Sequence, residues 1–318
     1  MADRLDPVDL TNCDREPIHL LGAIQPVGAL LALSHDWIVQ RASANLSEIL
    51  GITPEQAIGA SLLDLIEGEA VHALRNRLAT LFGDDGVERI FGCILRPGLP
   101  PFDLGLHQTG GWIVVEMQPA RGTPTDATNM VRSMMARLDL TEGFPRFFNE
   151  GARLVRALTG FDRVMVYRFD EDDAGEVVAE AVRAGIGSFK GLHYPASDIP
   201  KQARTLYKRN LLRVIADIHS TPVPILPEAD HGRQPLDLSL SMLRSVSPIH
   251  IEYLKNMGVG ASMSISIIVD DKLWGLFACH HYAPLLPSFE QRSVCELFAQ
   301  LFSMRLESRE RKETVEFE

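Results

Sequence analysis

The sequence predicts two α+β domains, each a central antiparallel sheet flanked by helices, and three observations carry that prediction. The 318 residues suffice for about two domains of ordinary size. Runs of period two and runs of period 3.6 occur in both halves, so neither half is all strand or all helix. Between the halves, Pro119-Ala-Arg-Gly-Thr-Pro-Thr-Asp126 combines two prolines, a glycine and small polar residues without periodicity, the composition of a linker. The expected division is a terminal segment 1–20, a first domain 21–122, a second domain 130–305 and the start of a long helix at 306–318.

In the first domain, 29–33 and 38–42 read as short strands around a turn at 34–37. Thr53-Pro-Glu-Gln56 supplies an N-cap, a proline at the first helical position and a capping-box glutamine, so a helix starts there. A helix is expected over 69–82, followed by strands over 88–95, 102–107 and 112–118. In the second domain, Phe144, Phe147, Phe148, Ala152, Val155 and Leu158 recur at helical spacing until Gly160 closes the helix. The run 161–169 then reads as a strand with Arg163, Met165, Tyr167 and Phe169 on one face, paired with 175–181. Strands over 261–269 and 272–281 are joined by the tight turn Asp270-Asp271. From Ser288 on, Val294, Leu297, Phe298, Leu301 and Phe302 form one helical stripe before the sequence turns Arg/Glu-rich.

Composition excludes several classes. Hydrophobic residues at 46% and charged residues at 23% are ordinary for a globular protein, and the net charge of −11 argues against a nucleic-acid surface. No stretch has the length of a signal peptide core or a membrane span, so a soluble cytoplasmic protein is expected. The four cysteines, Cys13, Cys93, Cys279 and Cys295, lack Cys-x-x-Cys spacing and read as reduced. No phosphate loop, nucleophile elbow or His-Glu-x-x-His motif occurs, and no enzymatic activity is expected of the chain.

The most informative stretch is His193-Tyr-Pro-Ala-Ser-Asp-Ile-Pro-Lys-Gln-Ala-Arg204. Pro195 and Pro200 stiffen the segment that carries Ser197 and Asp198. The residues alone leave two readings open: a ligand-facing loop, or a surface turn whose Asp198 caps the helix starting at Pro200. Arg204, Tyr207 and Arg213 follow, and Arg244-Ser-Val-Ser-Pro-Ile-His250 adds an arginine, two hydroxyls and a histidine. Guanidinium groups bind carboxylates in pairs of hydrogen bonds, which suits a ligand with acidic arms. Ser262, Ser264 and Ser266 alternate on one strand and share a face. In the next strand Trp274, Leu276, Ala278 and His280 face one way and Cys279 and His281 the other, so only one histidine can enter a pocket. The same alternation disfavours a zinc site at Cys279-His280-His281. Cys13 has acidic neighbours that do not favour its thiolate.

Taken together, Cys13 before Glu16-Pro-Ile-His19, Gly22-Ala-Ile-Gln-Pro26, Met165-Val-Tyr-Arg-Phe169, Pro195-Ala-Ser-Asp-Ile-Pro200, Arg244-Ser-Val-Ser-Pro-Ile-His250 and Leu273-Trp-Gly-Leu-Phe-Ala-Cys-His-His281 resemble a bacterial phytochrome. The resemblance covers almost the whole chain, as a PAS domain over 21–122 and a bilin-binding GAF domain over 130–305, with 306–318 opening a signalling helix. It implies biliverdin, a linear tetrapyrrole with two propionates, joined by a thioether to Cys13, and red-light isomerisation about the methine bridge between rings C and D. It also implies a figure-of-eight knot in which the terminal segment passes through a GAF loop at Ile24, an exception to unknotted topology.

By the same resemblance, Asp198, with its neighbours Ile199 and Pro200, and His250 flank the pyrrole nitrogens. Arg213, Arg244, Tyr207, Ser247, Ser262 and Ser264 hold the propionates and the surrounding contacts, His280 binds the ring D carbonyl, and Tyr167, Tyr194 and Tyr253 shape the ring D cavity. The expected partners are a second copy through the GAF and C-terminal helices, and a PHY domain with an output module such as a light-regulated histidine kinase. Two features depart from the family pattern: Val27 stands where a histidine usually follows Gln-Pro, and the sequence stops before the PHY domain whose tongue seals the pocket. An incomplete far-red-absorbing product is therefore expected. The competing reading is a GAF module that binds a cyclic nucleotide or small anion through Arg213 and Arg244 without photochemistry.

Overall fold

The computed structural model describes residues 16–122, 126–229 and 233–317; Cys13 lies outside them. In chain order the elements are β1 (Ala23–Ile24), β2 (Ala29–Leu33), β3 (Val39–Ser43), α1 (Leu46–Leu50), α2 (Pro54–Ala57), α3 (Leu62–Leu65), α4 (Gly68–Thr80), β4 (Val87–Cys93), β5 (Phe102–Thr109) and β6 (Trp112–Pro119). They continue with α5 (Ala127–Asp139), α6 (Gly143–Thr159), β7 (Arg163–Phe169), β8 (Gly175–Val182), β9 (His193–Tyr194), α7 (Lys201–Arg209), β10 (Leu212–Ile215), β11 (Val223–Leu226), α8 (Pro248–Asn256), β12 (Ala261–Val269), β13 (Lys272–His281) and α9 (Phe289–Phe317). None of the described helices is long and apolar enough to cross a membrane.

Two compact units form, and neither is a single stretch of chain. One gathers Pro17–Gly122 with His219–Ile251, and the other holds Thr123–Ile218 and Glu252–Glu318. Residues 219–251, which the sequence places inside the second domain, thus pack with the first.

The first unit is a seven-stranded sheet in the order β1-β11-β3-β2-β6-β5-β4. Leu31, Leu33, Leu104, Leu106 and Val115 on one face pack against Leu46, Leu62, Val71 and Leu74 from the helices. The capping box at Thr53 forms as its sequence dictates, with Gln56 N–H donating to Thr53 Oγ1 and Thr53 N–H to Gln56 Oε1. The other face is closed by the 219–251 segment through Ile225, Leu236, Leu238 and Leu243, with Val27 joining this apolar cluster. Within it, β1 is flanked on both sides by that one segment: Ile24 pairs with Val223, bridges to Arg244 and is 0% exposed.

The second unit is a six-stranded antiparallel sheet in the order β10-β12-β13-β7-β8-β9. Val164, Val166, Met263, Ile265, Phe277 and Cys279 point to one face, where α6 and α9 cover them with Phe147, Val155, Val294, Phe298 and Phe302, and α5 packs against these two helices. Phe302 stacks on Phe147 at 4.4 Å and meets Phe277 edge-on at 4.9 Å. Each such fully buried ring is worth roughly 2–3 kcal/mol. The stripe on α9 therefore divides: Val294, Phe298 and Phe302 are interior, while Leu297 is 46% exposed.

Trp274 departs from the alternation expected of β13. The β12–β13 register shifts between Ile267 and Ile268, so Trp274 is the extra residue of a bulge. It turns to the helix side, 5.3 Å from the Phe148 ring, and its indole N–H donates to Glu310 Oε1 at 3.0 Å.

Candidate functional site

The face of the second sheet away from the helices is chemically different. Antiparallel pairing sets Arg213 opposite Ser264 and Ser264 opposite Ala278, then Ala278 opposite Met165 and Met165 opposite Glu180. The adjacent row runs Ser262, His280, Arg163, and the next Ser266, Leu276, Tyr167. Small residues thus occupy the centre of the face, with a cation at one side and aromatics at the other. Ser262, Ser264 and Ala278 lie on interior strands yet are only half-buried, so the sheet is open above them. Ser266 differs from its two neighbours: it is buried, and its hydroxyl donates to the Tyr207 carbonyl at 2.7 Å, tying α7 to the sheet.

The 193–209 segment runs beside this face. His193 and Tyr194 form an edge strand on β8, with Tyr194 opposite Gly175. A single 3₁₀ turn, Ala196–Asp198, follows, and α7 starts from Pro200 with no side-chain cap on its first turn. Asp198 is therefore not a helix cap. Its Oδ2 instead accepts from the Tyr253 hydroxyl at 3.2 Å. Around it, Met165, Tyr167, Val177 and Leu276 form an apolar cluster, with Phe169, Phe189, Tyr194, Ile199 and Tyr207 packed against it. Tyr167 lies directly on Gly175, where any Cβ would fall about 2 Å from the phenol ring.

Electrostatics keep these phenols protonated. Burial first, and then the negative charge of Asp198, push Tyr167 up to about 12. The same two causes, with the hydrogen bond to Asp198, raise Tyr253. Tyr194 is raised by burial, with the Arg163 guanidinium pulling the other way. All three remain O–H donors at neutral pH.

Tyr167, Tyr194, Asp198, Ile199, Pro200, Tyr207, Arg213, Tyr253, Ser262, Ser264 and His280 all belong to the second unit. Arg244, Ser247 and His250 belong to the first, where Arg244 is 6% exposed and donates to the Ile18 carbonyl at 3.1 Å. His250 and Tyr253 are one turn apart on α8, on the same side of that helix. Arg204 turns away to pair with Asp173 at 3.0 Å. His281 faces Asp162 at 3.1 Å on the helix side, and no cluster of metal-binding side chains occurs among the described residues.

Sequence reasoning missed Phe189, Phe169, Met165 and Leu276 as members of the cluster. The last three were legible from strand alternation with Tyr167. Phe189, an aromatic between Gly187 and Gly191, carried no periodic signal. A cavity of about 300 Å³ on the helix side, lined by Arg137, Glu150, Arg153 and Arg156, is unrelated to these residues. There Arg137 and Arg153 are both paired with Glu150.

Known proteins with this arrangement are specific. A family model described as a PAS fold matches residues 13–120, and one described as a GAF domain matches residues 145–308. Cyanobacterial phytochrome B of a Nostoc species is 43% identical over 97% of this chain, and a bacteriophytochrome of Pseudomonas aeruginosa is 40% identical over 98%. The chain spans 42% and 43% of the length of these two relatives. The solved chromophore-binding domain of a Stigmatella aurantiaca phytochrome is 40% identical with a TM-score of 0.84, over 92% of this chain and 98% of that one. The photosensory core module of a phytochrome from the same organism, 40% identical, gives a TM-score of 0.86 over 97% of this chain and 62% of that one. A shared two-domain fold, identity near 40% and coverage of almost the whole chain leave one assignment: the chain belongs to the bacterial phytochrome family, matching its PAS and GAF domains.

Proposed function

We propose that this chain is the light-sensing module of a red/far-red photoreceptor that binds biliverdin covalently at Cys13. The observation that carries the reading is the open face of the second sheet: a small-residue floor at Ser262, Ser264 and Ala278, Arg213 at one side, and protonated tyrosines around Asp198 at the other. That donor set suits a flat, mostly apolar molecule with carboxylate arms and N–H groups. When bound, the tetrapyrrole supplies red absorption and isomerisation at the methine bridge between rings C and D.

The chain's residues do the rest. Arg213 pairs with a propionate, and Ser262, Ser264 and Tyr207 donate hydroxyl hydrogen bonds beside it. Arg244 and Ser247 take the second carboxylate and its surroundings. The Asp198 carbonyl and the His250 imidazole accept from pyrrole N–H groups, with Ile199 and Pro200 fixing the Asp198 backbone. His280 hydrogen-bonds the ring D carbonyl, and Tyr167, Tyr194 and Tyr253 bound the space in which ring D turns. Altered contacts at Asp198, Arg213 and Arg244 then bias a two-state protein. On this reading the chain acts in the cytoplasm, pairs with a second copy through its GAF and C-terminal helices, and works with a PHY domain and an output module. The exposed Leu297 and Met304 on α9 suit such a helix pairing.

The test mixes purified apoprotein with biliverdin. A red absorption band that stays with the chain after denaturation is expected, with Cys13→Ser losing the covalent bond but not the uptake. Saturable cyclic-nucleotide binding in calorimetry, with no bilin uptake, would overturn the reading.

A further inference from the structure

Arg163 and Glu180 form an ion pair on neighbouring strands of the open face, with side chains 1% and 2% exposed. Apart from a 3.4 Å hydrogen bond from Arg163 Nη2 to the Tyr282 hydroxyl, their remaining side-chain contacts converge on one stretch of loop between β8 and β9. Arg163 Nη2 donates to the Gly187 carbonyl at 2.6 Å, and its guanidinium carbon lies 3.6 Å from the centre of the Phe189 ring. Glu180 accepts from the Ser188 hydroxyl at 2.6 Å and from the Phe189 N–H at 3.1 Å. Two buried charges therefore grip three consecutive residues.

This stretch needs an anchor. Gly185 and Gly191 have φ of +86° and +81°, a conformation other residues rarely adopt, and a glycine-rich backbone loses more freedom on ordering. Past Phe189, Val177 fixes the far end by accepting from the Gly191 N–H at 2.9 Å and donating to the Leu192 carbonyl at 3.0 Å. The chain then enters β9 and reaches Tyr194 and Asp198. Phe189 itself packs in the cluster of Tyr167, Tyr194 and Ile199. Charge attraction in a buried pair is largely offset by desolvation, so net stabilisation is a poor account of this one. Fixed geometry is a better one.

We propose that Arg163 and Glu180 are positioning residues: the pair anchors residues 187–189 and so sets where Phe189 and Tyr194 stand beside the open face. The anchoring is independent of any ligand. Its consequence for ring D rests on the bilin reading above.

The experiment is hydrogen exchange by mass spectrometry on the apoprotein, followed by emission after biliverdin loading. The double variant Arg163→Met/Glu180→Leu replaces the pair with apolar groups of similar size, which keeps a buried site foldable. Exchange about tenfold faster is expected over 187–194, where the anchoring bonds are lost, with β7, β12 and β13 unchanged. Wild-type protection over 187–194 in the folded variant, or a uniform rise across the unit, would overturn the proposal. Should the double variant not fold, Ser188→Ala removes a single hydroxyl at the surface. It should speed exchange about threefold over 188–192 alone, and no change there would equally overturn it. Loaded protein should emit less in the variants, because a looser wall lets ring D turn. Unchanged emission with altered protection sinks the link to ring D. Failure of wild type to take up biliverdin sinks the bilin reading and leaves the anchoring intact.

Discussion

Both sheets carry polar residues on the face away from their helices, and the PAS sheet and the Arg213 side of the GAF sheet treat them in opposite ways. On the PAS sheet, Glu116 is 1% exposed and its carboxylate is saturated by the chain itself: the Ser241 hydroxyl, the Met242 N–H at 3.0 Å and the Leu243 N–H at 2.8 Å. Arg41 likewise donates to the Gln234 carbonyl at 2.5 Å. On the GAF sheet Arg163, Glu180 and Ser266 are also buried and partnered by the chain, but Arg213, Ser262 and Ser264, with Asp198 on the turn beside them, are only half-buried. A buried polar group must find a partner, so polarity on a sheet face means either a cover made of the chain's own backbone or room for something else. Exposure together with partnership separates the two.

The sharpest way to break that contrast is Glu116→Ala. It strands one hydroxyl and two backbone N–H groups in a dry interface, at roughly 1–3 kcal/mol each before relaxation. Urea denaturation should show a loss of about 3 kcal/mol or more, with Glu116→Gln losing less because an acceptor oxygen remains. A loss below about 1 kcal/mol would mean that the 219–251 segment is held by its apolar contacts alone.

A pH titration gives the next largest effect. His107 on β5 is 0% exposed, and burial lowers its imidazole to about 4 while Asp237 pulls upward. In the unfolded chain the same group titrates near ~6.5. Between those values the unfolded state takes up a proton that the folded state refuses. Stability is therefore complete above about 6.5, falls as pH drops towards about 4, and changes no further from this group below that, for a total of about 3 kcal/mol. His107→Leu should remove this part of the slope in denaturation midpoints measured from about pH 7 to 4.5. The tyrosines of the GAF face are raised away from neutrality and add nothing in that window.

Much of this was legible in the sequence, and the exceptions have physical causes. Strands β2, β12 and β13 fall where alternation and turn residues put them, and Gly160 closes α6 at φ +76°. The turn Asp270-Asp271 has φ of 47° and 57° at its two residues, as a tight hairpin requires. Trp274 escaped because a bulge adds a residue without changing the apolar pattern. The transfer of 219–251 to the PAS unit escaped for another reason: β11 is four residues long, and pairing to a strand some 180 positions away leaves no local trace. The shared face of Ser262, Ser264 and Ser266 and the opposite faces of His280 and His281 follow from period two, whereas the grip of Arg163 and Glu180 on the 187–189 loop does not. Arg163 was placed on the right face of β7, but nothing in its neighbours announced Glu180 as a partner.

The smallest expected effect bears most directly on the open face. Tyr253 donates to Asp198 at 3.2 Å, and both groups are half-buried, so solvent can replace either partner. Tyr253→Phe, Asp198→Asn and the double variant should each cost at most about 1 kcal/mol of stability, with a coupling of about 0.5–1 kcal/mol in the cycle. Their effect should fall on the bilin spectrum instead, because the tyrosine orients a carboxylate that the fold itself does not need. A coupling as large as the Glu116 loss would erase the distinction between the two faces. It would mean that the GAF face, like the PAS face, is closed by its own polar groups and offers no place for a ligand.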